Sequence, residues 1–160
     1  MGTLPQLIEE DILQIDAALR ELLAKSEAST ALVADKGGFL ITSQGNDRDF
    51  DLTTIAALAS GAFMASQSIA SLAQETGFNS TYQQGENYSI FIQCVDDNCL
   101  LLVLFPAAVG VGAVKYFATT ASQRIARQMR SAQERDPSGG LDLSVLNLAD
   151  PSGLFKKREA

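Results

Sequence analysis

A long uncharged stretch dominates the pattern of polar and apolar positions. Residues 52–74 contain 23 consecutive positions without a charged side chain. Asp51 precedes the stretch and can accept hydrogen bonds from first-turn N–H groups, while Gly77 follows it and suits the left-handed conformation that often ends a helix. The pattern predicts one long helix over residues 52–76.

Projection of this central helix at about 100° per residue separates two faces. The larger aliphatic residues are assigned to the core face, and small residues with one aromatic and one methionine to the outer face. The core face comprises Ile55, Leu58, Ala62, Ala65, Ile69, Leu72 and Ala73, and the outer face Ala56, Ala57, Ser60, Phe63, Met64, Gln67 and Ser71. Because an ordinary surface helix carries charges, we interpret the outer face as a contact surface.

Two other interpretations of this helix compete with a contact surface. The hydroxyl and amide side chains along it would be costly in hydrocarbon, so no membrane span is expected. A helix buried within its own chain, or against a second copy, stays open as an alternative.

The remaining pattern predicts two further helices, over residues 5–25 and 111–132, and five strands. Glycines at 37 and 38 predict a hairpin turn. The predicted strands cover residues 31–35 and 39–43, then 78–84, 88–95 and 99–105 as an antiparallel meander. The last strand is apolar on both alternating faces, so helices must cover both faces of the sheet.

The composition changes near the C-terminus, where Asp-Pro-Ser-Gly sequences at 136–139 and 150–153 indicate linkers. We predict one domain over residues 5–132 and a flexible tail over residues 133–160. The apolar residues of the tail leave two alternatives, namely a mostly disordered segment and a peptide that becomes ordered on a partner.

Charge and composition exclude several classes of function. The net charge is −7, and residues 1–100 carry 14 acidic against 4 basic side chains, so nucleic acid is not expected as a partner. Histidine is absent, which removes imidazole catalysis and His-ligated zinc. No cofactor, metal or active site is expected, and no N-terminal signal segment is found, so a cytoplasmic protein is predicted.

Three smaller groups of residues carry weaker signals. Cys94 and Cys99 flank a turn and could face each other, although two reduced thiols are the expectation for a cytoplasmic protein. Residues 96–98 fit a solvated turn better than a cation site. The basic residues Lys115, Arg124, Arg127 and Arg130 are spread around the third helix and form no single stripe.

The order of these elements resembles the roadblock/dynein light chain family. The stretches "LVADKGGFLITS" (32–43), "LASGAFMASQSIASL" (58–72) and "YQQGENYSIFI" (82–92) are similar to the family's first hairpin, central helix and strand-turn-strand. The likeness covers about three quarters of the chain and is greatest to the bacterial MglB-type branch. It implies an α-β-β-α-β-β-β-α sandwich with a central five-stranded antiparallel sheet and helices on both faces.

The resemblance also implies a homodimer that binds a Ras-like (MglA-type) small GTPase and acts as its GTPase-activating protein. The implied GTPase-facing residues are Ala57, Ser60, Met64, Gln67 and Ser71, and the implied dimer residues are Phe63, Phe78, Ser80, Tyr82 and Gln84. Members of this branch insert no catalytic arginine and rearrange the GTPase's own residues. A scaffold that joins a larger complex without affecting hydrolysis is the alternative.

Overall fold

The computed structural model describes residues 3–46 and 48–135, which form three helices and five strands. The elements are α1 (Glu9–Ser26), β1 (Thr30–Asp35), β2 (Leu40–Gly45), α2 (Leu52–Leu72), β3 (Ser80–Gln83), β4 (Tyr88–Cys94), β5 (Cys99–Pro106) and α3 (Val111–Arg135). Their type and order confirm the sequence prediction. α1 begins four residues later than predicted and α3 ends three residues later. The predicted tail from residue 136 onward lies outside the described residues.

The five strands form one sheet in the order β2-β1-β5-β4-β3, in which neighbouring strands are antiparallel. β5 lies at the centre, and its residues from Cys99 to Phe105 are buried on both faces. The unbroken apolar sequence of β5 is explained by this position, because water reaches neither face of the strand.

Helices cover the two faces of the sheet unequally. α1 and α3 pack side by side on one face, where Ile15 and Ile125 join Val33, Leu101 and Phe105 in a core. We call this the closed face. α2 alone covers the other face, where its own buried residues meet Leu32, Leu102 and Ile92. We call this the open face.

A buried carboxylate joins the start of α1 to the end of α3. Asp11 accepts hydrogen bonds from the backbone N–H of Ile8 at 2.8 Å, from Gln128 at 2.7 Å and from both terminal nitrogens of Arg135 at 2.8 and 2.9 Å. The Arg135 guanidinium, helped by the other two donors, lowers the pKa of Asp11 to about 2. The carboxylate is therefore charged and paired at neutral pH.

The two cysteines lie on opposite faces of the sheet and cannot bond to each other. Cys94 packs into the core of the open face, whereas Cys99 belongs to the core of the closed face. Both are free thiols, and burial raises the pKa of Cys99. Asp96 stabilises the turn between them, because its carboxylate accepts hydrogen bonds from the backbone N–H groups of Asn98 and Cys99, each at 2.8 Å.

Candidate functional site

α2 begins as predicted but ends earlier. The Asp51 carboxylate accepts the N–H of Thr54 at 3.2 Å and caps the first turn. The helix ends at Leu72, and the residue that takes the left-handed conformation is Gln74, with φ of 60°. The prediction that the helix reaches residue 76 and ends through Gly77 is wrong.

The predicted assignment of the two faces of α2 is wrong for most of the core face and for part of the outer face. The buried residues are Leu52, Ala56, Ala59, Ser60 and Phe63. Leu58, Ile69 and Leu72, all on the predicted core face, are 69%, 66% and 86% exposed. Small residues allow the helix to lie close to the sheet, and one aromatic ring then fills the space that remains.

Three contacts fix the N-terminal half of α2 against its own chain. The Ser60 hydroxyl donates to the Lys36 carbonyl oxygen at 2.6 Å, at the tip of the β1–β2 hairpin. Gly38, with φ of 97°, approaches α2 so closely that an added Cβ would lie 3.1 Å from Ala57 Cα. The rings of Phe63 and Phe78 pack with centroids 5.2 Å apart.

The C-terminal half of α2 has no such partner among the described residues. Every residue from Met64 to Leu72 is exposed or half-buried. Because this surface carries no charge and includes large aliphatic side chains, it is an exposed apolar surface of the kind that marks contact sites.

A row of three small residues runs along the middle of the exposed side of α2. Ala57, Gly61 and Ala65 follow one another at intervals of four, and all three are exposed. A Cβ added at Gly61 would meet no atom within 4 Å. Nothing in the described fold therefore requires a glycine at this position, although glycine inside a helix costs about 1 kcal/mol relative to alanine. We call these three residues the small-residue row.

Length and composition alone would allow α2 to cross a membrane. Among the described helices it is the only one that satisfies both conditions, with 21 residues and a mean hydropathy of 1.4. Its N-terminal half packs on the sheet, however, so it is a core helix of this domain.

β3 is one edge of the sheet and can bond to a further strand. The Cys94 N–H donates to the Asn79 carbonyl at 2.8 Å, and residues directly opposite in an antiparallel ladder bond alternately. The backbone groups of Thr81 and Gln83 therefore point toward β4, while those of Ser80 and Tyr82 point away from it, toward the open edge.

The structure distributes the ten residues of the two implied contact sites over buried and exposed positions. Ala57, Met64, Ser71, Tyr82 and Gln84 are exposed, Gln67, Phe78 and Ser80 are half-buried, and Ser60 and Phe63 are buried. The last two contact their own chain and are not accessible to a partner. Tyr82 stacks on Phe105 of the closed face, at 6.1 Å between centroids.

A shallow cleft connects the two implied sites. Gln67 and Ser71 of α2 line it together with Phe78, which precedes β3. The remaining lining comes from residues 74–76 in the loop after α2. The cleft therefore extends from the exposed part of α2 to Phe78, two residues before β3 begins.

A family model described as the Roadblock/LC7 domain matches residues 14–105, which include α2 and β3. The chain belongs to this family. Roadblock proteins are generally regulators without a catalytic site of their own. A search of curated proteins gives no match.

Solved structures place this roadblock domain near the MglB proteins. The gliding protein MglB of Thermus thermophilus is 25% identical, with a TM-score of 0.75 over 82% of this chain and 99% of that one. MglB of Myxococcus xanthus is 27% identical, with a TM-score of 0.73 over 79% and 96% of the two chains. Profilin II of Acanthamoeba castellanii, at 12% identity and a TM-score of 0.51, shares the fold alone.

Gly61 and Ala65 are the residues of the small-residue row that sequence reasoning missed, whereas Ala57 was already among the implied GTPase-facing residues. The projection placed Ala65 on the core face and left Gly61 unassigned. Phe63 could have corrected the assignment of the helix faces. It is the one aromatic residue in the helix, and burial of its large apolar ring gives the largest favourable free energy of any side chain there. When Phe63 is placed toward the sheet, Gly61 and Ala65 lie on the exposed side of the helix.

Proposed function

We propose that this chain is a cytoplasmic homodimeric regulator that binds a Ras-like small GTPase and acts as its GTPase-activating protein. The small-residue row carries the proposal. A glycine that its own fold does not need, at the centre of an uncharged exposed helix face, is explained when a partner's backbone comes close to it.

The proposed dimer forms through the open edge of β3. Two copies of this strand would pair through the outward backbone groups of Ser80 and Tyr82, so that the two sheets become one. Phe78 and Gln84 lie at the two ends of this segment. Pairing would also bring a second copy to the cleft beside Gln67 and Ser71 and would cover part of the apolar surface of α2.

The proposed GTPase contact lies on the outer side of α2. It consists of Ala57, Gly61, Met64 and Ala65, with Gln67 and Ser71 toward the dimer axis. Ser60 and Phe63 are left out because both are buried. α2 has no arginine to insert, so acceleration would come from preferential binding of the GTPase conformation in which its own catalytic residues are aligned.

The test joins a size measurement to a turnover measurement. Light scattering gives the mass of the protein alone, and GTP hydrolysis by the small GTPase from the same genome is then followed with and without it. A dimer that accelerates hydrolysis supports the proposal. A stable monomer contradicts the dimer, and unchanged binding by Met64→Arg would remove this residue from the contact.

A matched variant separates loss of contact from general damage. Leu13 is about half exposed on α1, which packs on the closed face. Leu13→Arg adds the same bulk and charge far from the proposed contact, so it should leave hydrolysis and dimer mass unchanged while Met64→Arg abolishes acceleration. Equal loss in both variants would indicate nonspecific damage and count against the assignment.

The scaffold alternative uses the same surface without an effect on nucleotide turnover. Its distinguishing result is a dimer that binds the GTPase, or another protein, through the small-residue row while the hydrolysis rate stays constant. This result would retain the contact surface and overturn the proposed activity.

A further inference from the structure

A groove made of two adjoining clefts runs along the seam between α1 and α3 on the outside of the closed face, and Arg124, which pairs with Glu21 across the seam, lines both clefts. The two helices are antiparallel there, since Asp11 meets Arg135 at one end and Glu21 meets Arg124 further along. The near part of the groove, beside Arg135, holds about 190 Å³ and is lined by Gln14, Arg124, Arg127, Gln128 and Ser131. We call the whole feature the seam groove.

The far part of the seam groove is more apolar and holds about 240 Å³. Ala18 and Leu22 of α1 face Tyr116, Phe117 and Ala121 of α3 across it. Tyr116 is 70% exposed, and its ring packs edge-on against Phe117 at 5.2 Å. This part of the molecule therefore offers a small aromatic wall that no described residue covers.

The described part of the chain ends at the near end of this groove. Arg135 is the last described residue, and its two bonds to the buried Asp11 carboxylate fix its position. Residues 136–140, Asp-Pro-Ser-Gly-Gly, come next. A turn there would direct the following residues back along the seam.

The length of the chain is sufficient for this path. Five extended residues span at most about 17 Å, whereas Ser131 and Arg127 lie only about 6 and 12 Å back along the axis of α3. Thr120, in the far part, lies about 22 Å back. Residues 141–148 add up to about 26 Å, so they can reach the aromatic wall.

The chemistry of the segment matches that of the groove. Residues 141–148, Leu-Asp-Leu-Ser-Val-Leu-Asn-Leu, supply five aliphatic side chains. Residues 136–155 carry three aspartates and no basic side chain. Across the described residues, Arg127 and Arg130 form no salt bridge, and Arg127 lines the groove between the exit point and the aromatic wall.

We propose that residues 141–148 dock in the seam groove of their own chain. Their aliphatic side chains cover Tyr116 and Phe117, and Asp142 lies toward Arg127. This contact is on the closed face, on the other side of the sheet from α2. It is therefore independent of the proposed GTPase contact, and either proposal can fail without the other.

Photo-cross-linking in the full chain tests the contact directly. The photoreactive amino acid p-benzoylphenylalanine replaces Tyr116 in one variant and Tyr88 in a matched control, because Tyr88 is also exposed but belongs to β4 and packs on Phe50. Mixing isotopically labelled and unlabelled chains distinguishes links within one chain from links between chains. Cross-links from position 116 to residues 141–148 of the same chain, and none from position 88, are expected.

Two further substitutions in the full chain test the chemistry of docking. Arg127→Glu should reduce the yield of the cross-link from position 116 several-fold, and high salt should do the same. Arg130→Glu is the matched control, since Arg130 does not line the groove, and should leave the yield unchanged. Absence of the cross-link, equal yields from both positions, links between chains only, or equal loss with both charge reversals would overturn the proposal.

Discussion

The two faces of the sheet differ in how completely they are covered. On the closed face α1 and α3 pack against each other along their length, and the Asp11–Arg135 contact joins their ends. On the open face only the N-terminal half of α2 contains buried residues, and every residue from Met64 to Leu72 is exposed or half-buried. A helix can thus belong to the core at one end and remain available for contact at the other.

This difference is not visible in the composition of α2. Both halves are rich in Ala, Ser and aliphatic residues, and neither carries a charge. The packed half is distinguished by what lies beside it, namely the tip of the β1–β2 hairpin and Phe78. The position of the sheet, and not the hydrophobicity of the helix, decides which residues are buried.

The largest expected effect concerns the anchor of α2 on the open face. Phe63→Ala removes a ring that is 1% exposed and should lower the free energy of unfolding by about 3–5 kcal/mol. Leu72→Ala, at the far end of the same helix, should change it by less than about 0.5 kcal/mol at low protein concentration. Urea denaturation at matched concentrations measures both. Similar losses in the two variants would mean that the halves of α2 do not differ as described.

The sequence predicts most of the fold because strong local signals mark each element. Three signals are sufficient to define the strands and the need for helices on both faces. They are the alternation of polar and apolar residues, the glycines at 37 and 38, and the apolar run of β5. The faces of α2 could not be assigned this way, since apolar residues occur all round the helix and periodicity then gives no direction. The wrong choice carried over to the site, where it placed buried Ser60 and Phe63 among the contact residues.

Acid should weaken the closed face through Asp11. Its pKa is lowered from 3.8 to about 2, so the charged carboxylate contributes stability above about pH 4, and this is lost as the pH falls toward 2. Solvent partly screens the pair, because the Arg135 side chain is 41% exposed, so the contribution is at most about 2 kcal/mol. Urea unfolding from pH 7 to pH 2.5 should show this loss of unfolding free energy in the wild type and not in Asp11→Asn. Glu9→Gln, exposed in the same turn, should retain the wild-type profile, and an unchanged profile in Asp11→Asn would contradict this role.

A smaller effect is expected for the hydrogen bond that ties α2 to the hairpin. Ser60→Ala leaves the Lys36 carbonyl without its donor and should cost about 1 kcal/mol of stability. Ser68→Ala is the matched control in the exposed half, where the hydroxyl donates only to the Met64 carbonyl one turn earlier. Thermal unfolding compares the two. Equal shifts of the melting temperature would show that the Ser60 hydrogen bond to the hairpin contributes no more stability than the Ser68 hydrogen bond within the helix.

The smallest expected change in stability concerns Gly61. It is informative because the same substitution should raise the stability of the protein and weaken its binding to the GTPase. Gly61→Ala adds a methyl group that meets no atom of its own chain, so it should stabilise the helix by about 0.5–1 kcal/mol. The same methyl group would hold a closely approaching partner away and should weaken GTPase binding.

Gly112→Ala, at an equally open glycine near the start of α3, is the matched control and should leave binding unchanged. Unfolding and titration measurements on the same samples compare the two variants. If Gly61→Ala stabilises the protein and binds the GTPase as well as the wild type does, the small-residue row is not the place where a partner approaches.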